Sequence, residues 1–250
     1  MMKIHIVAIL LVACSQDAAA VLTFNDGGHH VIDYTVYDLV RADQDTPGAG
    51  TRVDLVTGGL VQAWIDAYED SQVSILGGRV AATVRAYGRC DLTIAGGEIG
   101  GPVFAREDSR LEISGGSMES WLQAFDDSEA TISAGQIALF VEAWDDSRVT
   151  ISGGTIGGRI AAIRDSLITL VGSDFAVNGT PVGYGDSARN YGIMGTITGI
   201  LANGDTLNSS FSINGIGADI TFIPEPGTIL LLGLGVAGIL RKLRLRGERL

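Results

Sequence analysis

Hydrophobic and polar residues alternate through the middle of this chain, and the alternating pattern repeats every 19 residues. Because successive side chains of a strand point to opposite faces, apolar positions with a period of two predict short β-strands rather than helices. Pairs of small residues mark each repeat in one register with no insertion: Gly58-Gly59, Gly77-Gly78, Gly96-Gly97, Gly115-Gly116, Ala134-Gly135, Gly153-Gly154 and Gly172-Ser173.

Four positions of the repeat are consistently apolar when counted from the first residue of each small pair. Large apolar residues stand three positions after it (Val61 to Phe175) and seven after it (Ile65 to Ile160), and alanine stands nine after it (Ala67 to Ala162). Constant alanine is typical of a crowded inward corner. Two positions before the pair stand Val56, Ile75, Ile94, Ile113, Ile132, Ile151 and Leu170.

A second turn in each repeat is marked by Asp-Ser, for example Asp127-Ser128, and only Arg89-Cys90 breaks the series. Asp and Ser favour turns because their side chains bond to nearby backbone. Equal coils that stack in register bury together the apolar faces that one coil leaves open. The sequence therefore predicts an all-β fold, a single-stranded parallel β-helix of about seven 19-residue coils over residues 52–173, with the right hand favoured.

The segments that flank the repeats are predicted to close the open ends of the stack. Residues 21–51 alternate without repeating and predict a first irregular coil or cap. Residues 174–222 contain β-rich segments with Gly-Asp turns and predict a strand pair at the other end.

The N-terminus is typical of a secretory signal over residues 1–20, since Lys3 precedes an apolar run too short to span a bilayer. Signal peptidase cleavage after Ala20 is favoured. A lipobox-like sequence that ends at Cys14 is the alternative.

The C-terminus has an apolar run from Gly227 to Leu240 and then basic residues. As a helix the run is about 21 Å long, which is short of the roughly 30 Å hydrocarbon core. We expect a short membrane anchor, and a buried helix of the domain is the alternative. The basic stop that places the tail in the cytoplasm consists of Arg241, Lys242, Arg244 and Arg246.

The motif Pro224-Glu225-Pro226, the apolar run and the basic tail together resemble the PEP-CTERM sorting signal. The resemblance implies a Gram-negative bacterium in which an exosortase recognises the motif and removes the tail. The mature protein would then be released or attached at the cell surface or in extracellular polymer, after transient anchoring in the inner membrane. The coils from Arg52 to Gly172 also resemble the β-helical regions of PEP-CTERM exoproteins.

Charge excludes nucleic acid as the expected partner. Residues 21–225 contain 27 Asp and Glu against 11 Lys and Arg, a net charge of −16, whereas phosphate backbones require a basic surface. The two cysteines are Cys14 in the predicted leader and Cys90, so no intrachain disulfide is expected in the mature protein.

Aromatic residues concentrate at positions six and ten of the repeat, which are predicted to face outward. Such rings would stack on sugar rings of an extracellular polysaccharide, or alternatively on one another along the ladder. The candidate residues are Trp64, Tyr68, Tyr87, Trp121, Phe125, Phe140 and Trp144.

Paired aspartates on neighbouring coils, Asp126, Asp127, Asp145 and Asp146, are candidates for Ca²⁺, although turn capping is favoured and no cofactor is expected. We find no nucleotide-binding, zinc-protease or nucleophile-elbow motif. The sequence predicts a non-catalytic structural or adhesive protein. The alternative is a polysaccharide-acting enzyme such as a lyase, for which Arg85, Arg89 and Arg106 form the one candidate cluster.

Overall fold

The computed structural model describes residues 21–42 and 50–225, which form an all-β parallel solenoid of about eight turns. Each regular turn contributes one strand to each of three parallel sheets, which we call sheets A, B and C. Strands are numbered in chain order, and turn 1 comprises β2 to β4. Neighbouring turns are offset by 19 residues over most of the stack, as predicted from the sequence.

The strand boundaries are as follows. Sheet A contains β2 (His29–Ile32), β5 (Arg52–Leu55), β8 (Gln72–Ile75), β11 (Asp91–Ile94), the first parts of β14 (Arg110–Met118), β16 (Glu129–Ile137) and β21 (Leu167–Val177), β18 (Arg148–Ile151) and β25 (Asp219–Pro224). Sheet B contains β3 (Thr35–Val36), β6 (Leu60–Val61), β9 (Arg79–Val80), β12 (Glu98–Ile99), the later parts of β14 and β16, and β19 (Thr155–Ile156). Sheet C contains β1 (Val21–Phe24), β4 (Leu39–Ala42), β7 (Ile65–Ala67), β10 (Val84–Ala86), β13 (Val103–Ala105), β15 (Leu122–Ala124), β17 (Val141–Ala143), β20 (Arg159–Ile163) and β24 (Thr206–Asn214).

The core is a set of apolar columns that run the length of the stack. In β11, Leu92 and Ile94 are buried while Asp91 faces solvent, and the same alternation recurs in the strands above and below. The predicted inward alanines are confirmed, since Ala124 is fully buried and pairs with Ala105 and Ala143 on the adjacent turns. Each turn therefore buries its apolar face only because the next turn covers it.

The prediction of one unbroken register is wrong at turn 2. Leu55, not Val56, is buried opposite Ile75. In sheet A the offset between the paired residues of turns 2 and 3 is therefore one residue longer than the repeat. In sheet B, where Leu60 pairs with Arg79, the offset again equals the repeat length. The corner between Leu55 and Leu60 therefore contains the extra residue. A diglycine corner absorbs an inserted residue without disturbing the strands on either side.

The glycine corner between sheets A and B requires a residue without a side chain at its second position. Gly97 has a φ of +79°, and a Cβ there would lie 2.8 Å from the Gly77 carbonyl oxygen one turn below. Close stacking of successive corners and positive φ therefore both explain the repeated glycine.

The two ends of the described region differ. At the N-terminal end, β2, β3 and β4 pair in parallel register with the next turn, so residues 29–42 form a turn of the solenoid. At the C-terminal end, β23 (Met194–Leu201) and β24 form an antiparallel hairpin, and β24 also continues sheet C. The short strand β22 (Thr180–Pro181) and a 3₁₀ helix (Ala188–Tyr191) complete this end before β25 returns to sheet A.

Several predictions fall on segments outside the described residues: the signal peptide at 1–20, the apolar anchor run and the basic tail. Among residues 21–42 and 50–225, no helix has the length and hydropathy needed to cross a membrane. The right hand of the coil stays a prediction.

Candidate functional site

The predicted outward aromatics lie together along sheet C, on a surface that we call the aromatic face. It is formed by the outward residues of β7, β10, β13, β15, β17 and β20 and by the residues that immediately flank these strands. Most of its rings are half-buried, and Trp64 is 47% exposed. Strand register brings the rings together, because positions 19 residues apart occupy adjacent turns.

The rings of the aromatic face stack on one another along the solenoid axis. Tyr68 and Tyr87 have centroids 4.9 Å apart and planes 9° apart. Trp121 and Phe140 are 5.2 Å and 8° apart, and Phe125 follows the same geometry with Trp144 at 6.0 Å and 20°. These separations are close to the roughly 4.8 Å spacing of adjacent strands, so stacked rings cover one another's faces and leave mainly their edges to solvent.

Guanidinium groups occupy further ring faces. The Arg85 guanidinium carbon lies 5.0 Å from the Trp64 centroid, and the Arg106 carbon lies 4.5 Å from that of Phe125. Arg159 and Arg164 lie over Phe140 and Trp144, both at 5.9 Å. These distances are within the range of cation–π attraction, so the face is a mixed ladder of rings and cations.

Two carboxylates on this outward surface are buried beneath the ladder. Asp66 is 1% exposed and accepts two hydrogen bonds from Arg85, at 2.6 Å from Nε and 2.8 Å from Nη2. The hydrogen bonds to Asp66 raise the pKa of the Arg85 guanidinium. Both charges of this pair are therefore fixed in one bidentate geometry.

Glu142 is the second buried carboxylate, with 4% exposure. Its Oε2 accepts hydrogen bonds from Gln123 Nε2 at 2.7 Å and from Trp144 Nε1 at 3.2 Å. Arg159 pairs with its other oxygen. A buried charge needs such partners, and they orient the Trp144 indole.

The stacking of the rings determines which atoms a polysaccharide would meet on this face. The rings do stack on one another, so a sugar would meet ring edges, the polar atoms between them, or a ring at the end of a stack. Contact with a glycan stays a prediction for Trp64, Tyr68, Tyr87, Trp121, Phe125, Phe140 and Trp144.

The Asp-Ser corner between sheets C and A has an unusual backbone. The residue before each Asp-Ser pair has positive φ, including Glu107 at 59°, Asp126 at 58° and Asp145 at 59°. Conformations of this kind are rare outside glycine, and Asp tolerates them better than most residues. The Glu107 backbone N–H donates to the Asp126 carboxylate at 3.1 Å, and the Gly88 N–H donates to Glu107 at 2.7 Å.

The four aspartates proposed for calcium divide into two kinds. Asp126 accepts a backbone N–H and Asp145 pairs with Arg164, whereas Asp127 and Asp146 have no hydrogen bond or ion pair within the described residues. Within the described part of the chain, no group of three or more His, Cys, Asp or Glu residues is arranged to hold a metal ion. Calcium binding by these residues stays a prediction. The hydrogen bond to Asp126 and the ion pair of Asp145 support the turn-capping alternative.

The serine of each Asp-Ser pair is a structural residue whose role the sequence only partly revealed. Ser147 is fully buried, and its Oγ accepts from the Trp144 N–H at 2.9 Å and donates to the Ala124 carbonyl at 3.1 Å. Ser128 and Ser166 repeat this pattern, and Cys90 occupies the equivalent buried position in turn 3. Burial raises the pKa of the Cys90 thiol to about 12, so the thiol stays protonated and unreactive at neutral pH.

The sorting motif directly adjoins the solenoid. Pro224 is the last residue of β25 and pairs with Gly172, and Phe222 in the same strand is fully buried. Glu225 is the next residue, and Pro226 begins the segment outside the described residues. The folded region and the motif are thus contiguous.

Comparison with known proteins agrees with this placement. The model of the PEP-CTERM protein-sorting motif matches residues 222–246. No curated protein and no solved structure matches the chain. The chain is therefore a β-solenoid protein with a PEP-CTERM sorting motif at its C-terminus, and this motif implies export, processing by an exosortase and sorting to the cell surface.

Proposed function

We propose that this chain is a non-catalytic structural or adhesive protein of the cell surface or extracellular matrix of a Gram-negative bacterium. The observation that carries the proposal is the position of the sorting motif, which starts in the last strand of the solenoid. The part of the chain that sorting delivers is then the solenoid itself. A stack of about eight turns is a rigid rod of roughly 38 Å at about 4.8 Å per turn, and its long sides are its principal surfaces.

The aromatic face is the surface that we propose for polysaccharide contact. Trp64 is the most exposed of the candidate rings, and polar side chains lie between the rings. Aromatic rings beside fixed polar groups are a common means of binding partly apolar ligands such as sugars. The acidic surface, with a net charge of −16 over residues 21–225, favours solubility outside the cell.

The arginines on which a lyase would depend are engaged in the fold. Arg85 pairs with buried Asp66, and Arg89 makes a bidentate pair with Asp70 at 2.8 and 3.1 Å. The guanidinium of Arg106 lies over two rings. These contacts favour the non-catalytic function over the lyase. An assay for unsaturated uronate products distinguishes the two functions directly.

Retention on extracellular polysaccharide tests the contact. We expect Trp64→Ala in the full-length protein to reduce retention on polysaccharide from the producing cell. Tyr184→Ala is the matched control, because Tyr184 is also 47% exposed but lies outside the aromatic face. Equal retention of both variants and the parent would remove the aromatic face from the proposal.

Sorting is tested separately. We expect Glu225→Ala to leave the chain unprocessed and in the membrane fraction of a cell that contains exosortase. Normal processing of this variant would show that the motif does not direct the chain to the surface.

A further inference from the structure

A column of charged residues runs along the outward side of sheet A, on a different surface from the aromatic face. It is formed by the first residue of each strand, and strand pairing holds successive members in register. Arg110 and Glu129 at its centre have side chains 70% and 55% exposed. From turn 2 onward this charged column consists of Arg52, Gln72, Asp91, Arg110, Glu129, Arg148, Leu167 and Asp219.

A second column, two residues further along each strand, is mostly short and hydroxyl-bearing. It lies beside the charged column on the same outward surface and adds two carboxylates, Asp54 in turn 2 and Glu112 near the middle. Small side chains let another flat surface approach closely. From turn 2 this hydroxyl column consists of Asp54, Ser74, Thr93, Glu112, Thr131, Thr150, Thr169 and Thr221.

Contacts within the chain satisfy only part of the charged column. Arg110 pairs with Glu129 at 3.4 Å, and Arg52 pairs with Asp54 at 3.0 Å. Within the described residues, neither the Asp91 carboxylate nor the Arg148 guanidinium has an ion pair, although each lies beside an opposite charge. Exposed charges whose strands are held in register remain available to an external surface.

The order of charges in this column is complementary to itself when reversed. If a second copy faces sheet A with its axis antiparallel, a two-fold axis between turns 5 and 6 places Arg110 opposite Glu129 of that copy. The same operation places Asp91 opposite Arg148 and Arg52 opposite Asp219. The uncharged residues Gln72 and Leu167 also lie opposite each other. The hydroxyl columns of the two copies face each other, and no carboxylate lies opposite another carboxylate.

Other antiparallel registers bring like charges together. A shift by one turn in either direction places Arg110 opposite Arg110 of the second copy, or Glu129 opposite Glu129 of that copy. A shift by two turns places Arg52 opposite Arg148, or Asp91 opposite Asp219. One register therefore matches every charged position, which is the self-complementarity that an isologous two-fold contact requires.

We propose that two copies of this chain associate through sheet A in that register. The partner is a second copy because the pattern is complementary to its own reversal. The contact does not depend on a glycan or on sorting. Because exposed ion pairs are weak and screened by salt, the dimer is expected to be weak and to dissociate as ionic strength rises.

Charge reversal in the full-length chain, purified in detergent, tests this pairing by sedimentation at low ionic strength. In a dimer of the Arg110→Glu variant, two pairs of carboxylates face each other across the interface. In a dimer of the Glu129→Arg variant, two pairs of guanidinium groups face each other. We expect each variant alone to weaken association by about tenfold or more, since two attractive pairs per dimer are lost and replaced by like charges. We expect an equimolar mixture of the two variants to dimerise as the parent does, because the introduced carboxylate of one copy then faces the introduced guanidinium of the other.

The mixture separates contact between copies from a ladder within one chain, since mixing cannot repair an intrachain pair. The double variant Arg110→Glu with Glu129→Arg restores both kinds of contact and is expected to dimerise even if a single variant folds poorly. Arg79→Glu makes the same charge change on sheet B and is expected to leave association unchanged. A monomeric parent at low ionic strength, parent-like dimers of both single variants, or no rescue on mixing would each overturn the proposal.

Discussion

Two ion pairs of the solenoid have the same geometry and different burial, and they allow the energetic role of burial on the aromatic face to be measured. Arg85 pairs with Asp66 and Arg89 pairs with Asp70, each through Nε and Nη2 to a carboxylate one turn below. Asp66 is 1% exposed, whereas the Asp70 side chain is 45% exposed and that of Arg89 is 67% exposed. Sequence spacing and bond number are matched between the two pairs.

We expect Arg85→Ala to lower the free energy of unfolding by about 3–5 kcal/mol, because it leaves the Asp66 carboxylate buried without its counter-ion. It also removes the cation from the Trp64 ring. Arg89→Ala leaves behind only the Asp70 carboxylate, which is already in contact with water, and is expected to leave stability unchanged within the error of measurement.

Urea unfolding followed by circular dichroism measures both effects. Adding Asp66→Ala to Arg85→Ala is expected to recover much of the loss, since no unpaired charge then remains buried. Equal effects of Arg85→Ala and Arg89→Ala, or no recovery in the double variant, would contradict the role assigned to burial.

Three further predictions concern the core, a corner and the outward side of sheet A. Ala124→Leu, which overpacks an inward column, is expected to cost about 1–3 kcal/mol, and an unchanged urea midpoint would argue against the crowding. Cys90 is expected to resist alkylation at about pH 8 in the folded protein, and Cys90→Ser to unfold at the parent's urea midpoint, because serine occupies this site in neighbouring turns; rapid alkylation would contradict its burial. Burial alone would raise the pKa of Asp54, but hydrogen bonds from Arg52 and His29 outweigh it and lower the pKa. Asp54 thus stabilises the fold above about pH 4 and loses this effect as pH falls through its lowered pKa. Asp54→Asn should flatten the acid dependence of stability below about pH 4, and an unchanged profile would refute this.

Sequence patterns could identify the sorting motif and the columns that face inward. Both depend on local order: the motif is contiguous, and inward positions follow from the period of two and the regular repeat. The register of turn 2 was less accessible, because Val56 and Leu55 are both suitable for the core. Only pairing with Ile75 shows that Leu55 takes the inward place and that the corner after it contains the extra residue.

The burial and the contacts of the outward residues depend much more strongly on tertiary structure. Asp66 and Glu142 each stand between two inward residues of a strand and therefore face away from the core, yet both are buried because side chains from adjacent turns cover them. The sequence also placed the aromatic residues on one surface but left open whether their faces are free.

The repeat length, the inward columns and the sorting motif were thus determined by the order of residues along the chain. The partners of each outward side chain were decided by stacking, because they come from adjacent turns and depend on rotamers and on the distance between turns. Packing between neighbouring turns therefore decides which charges are buried, which rings are covered and which charges remain for a partner.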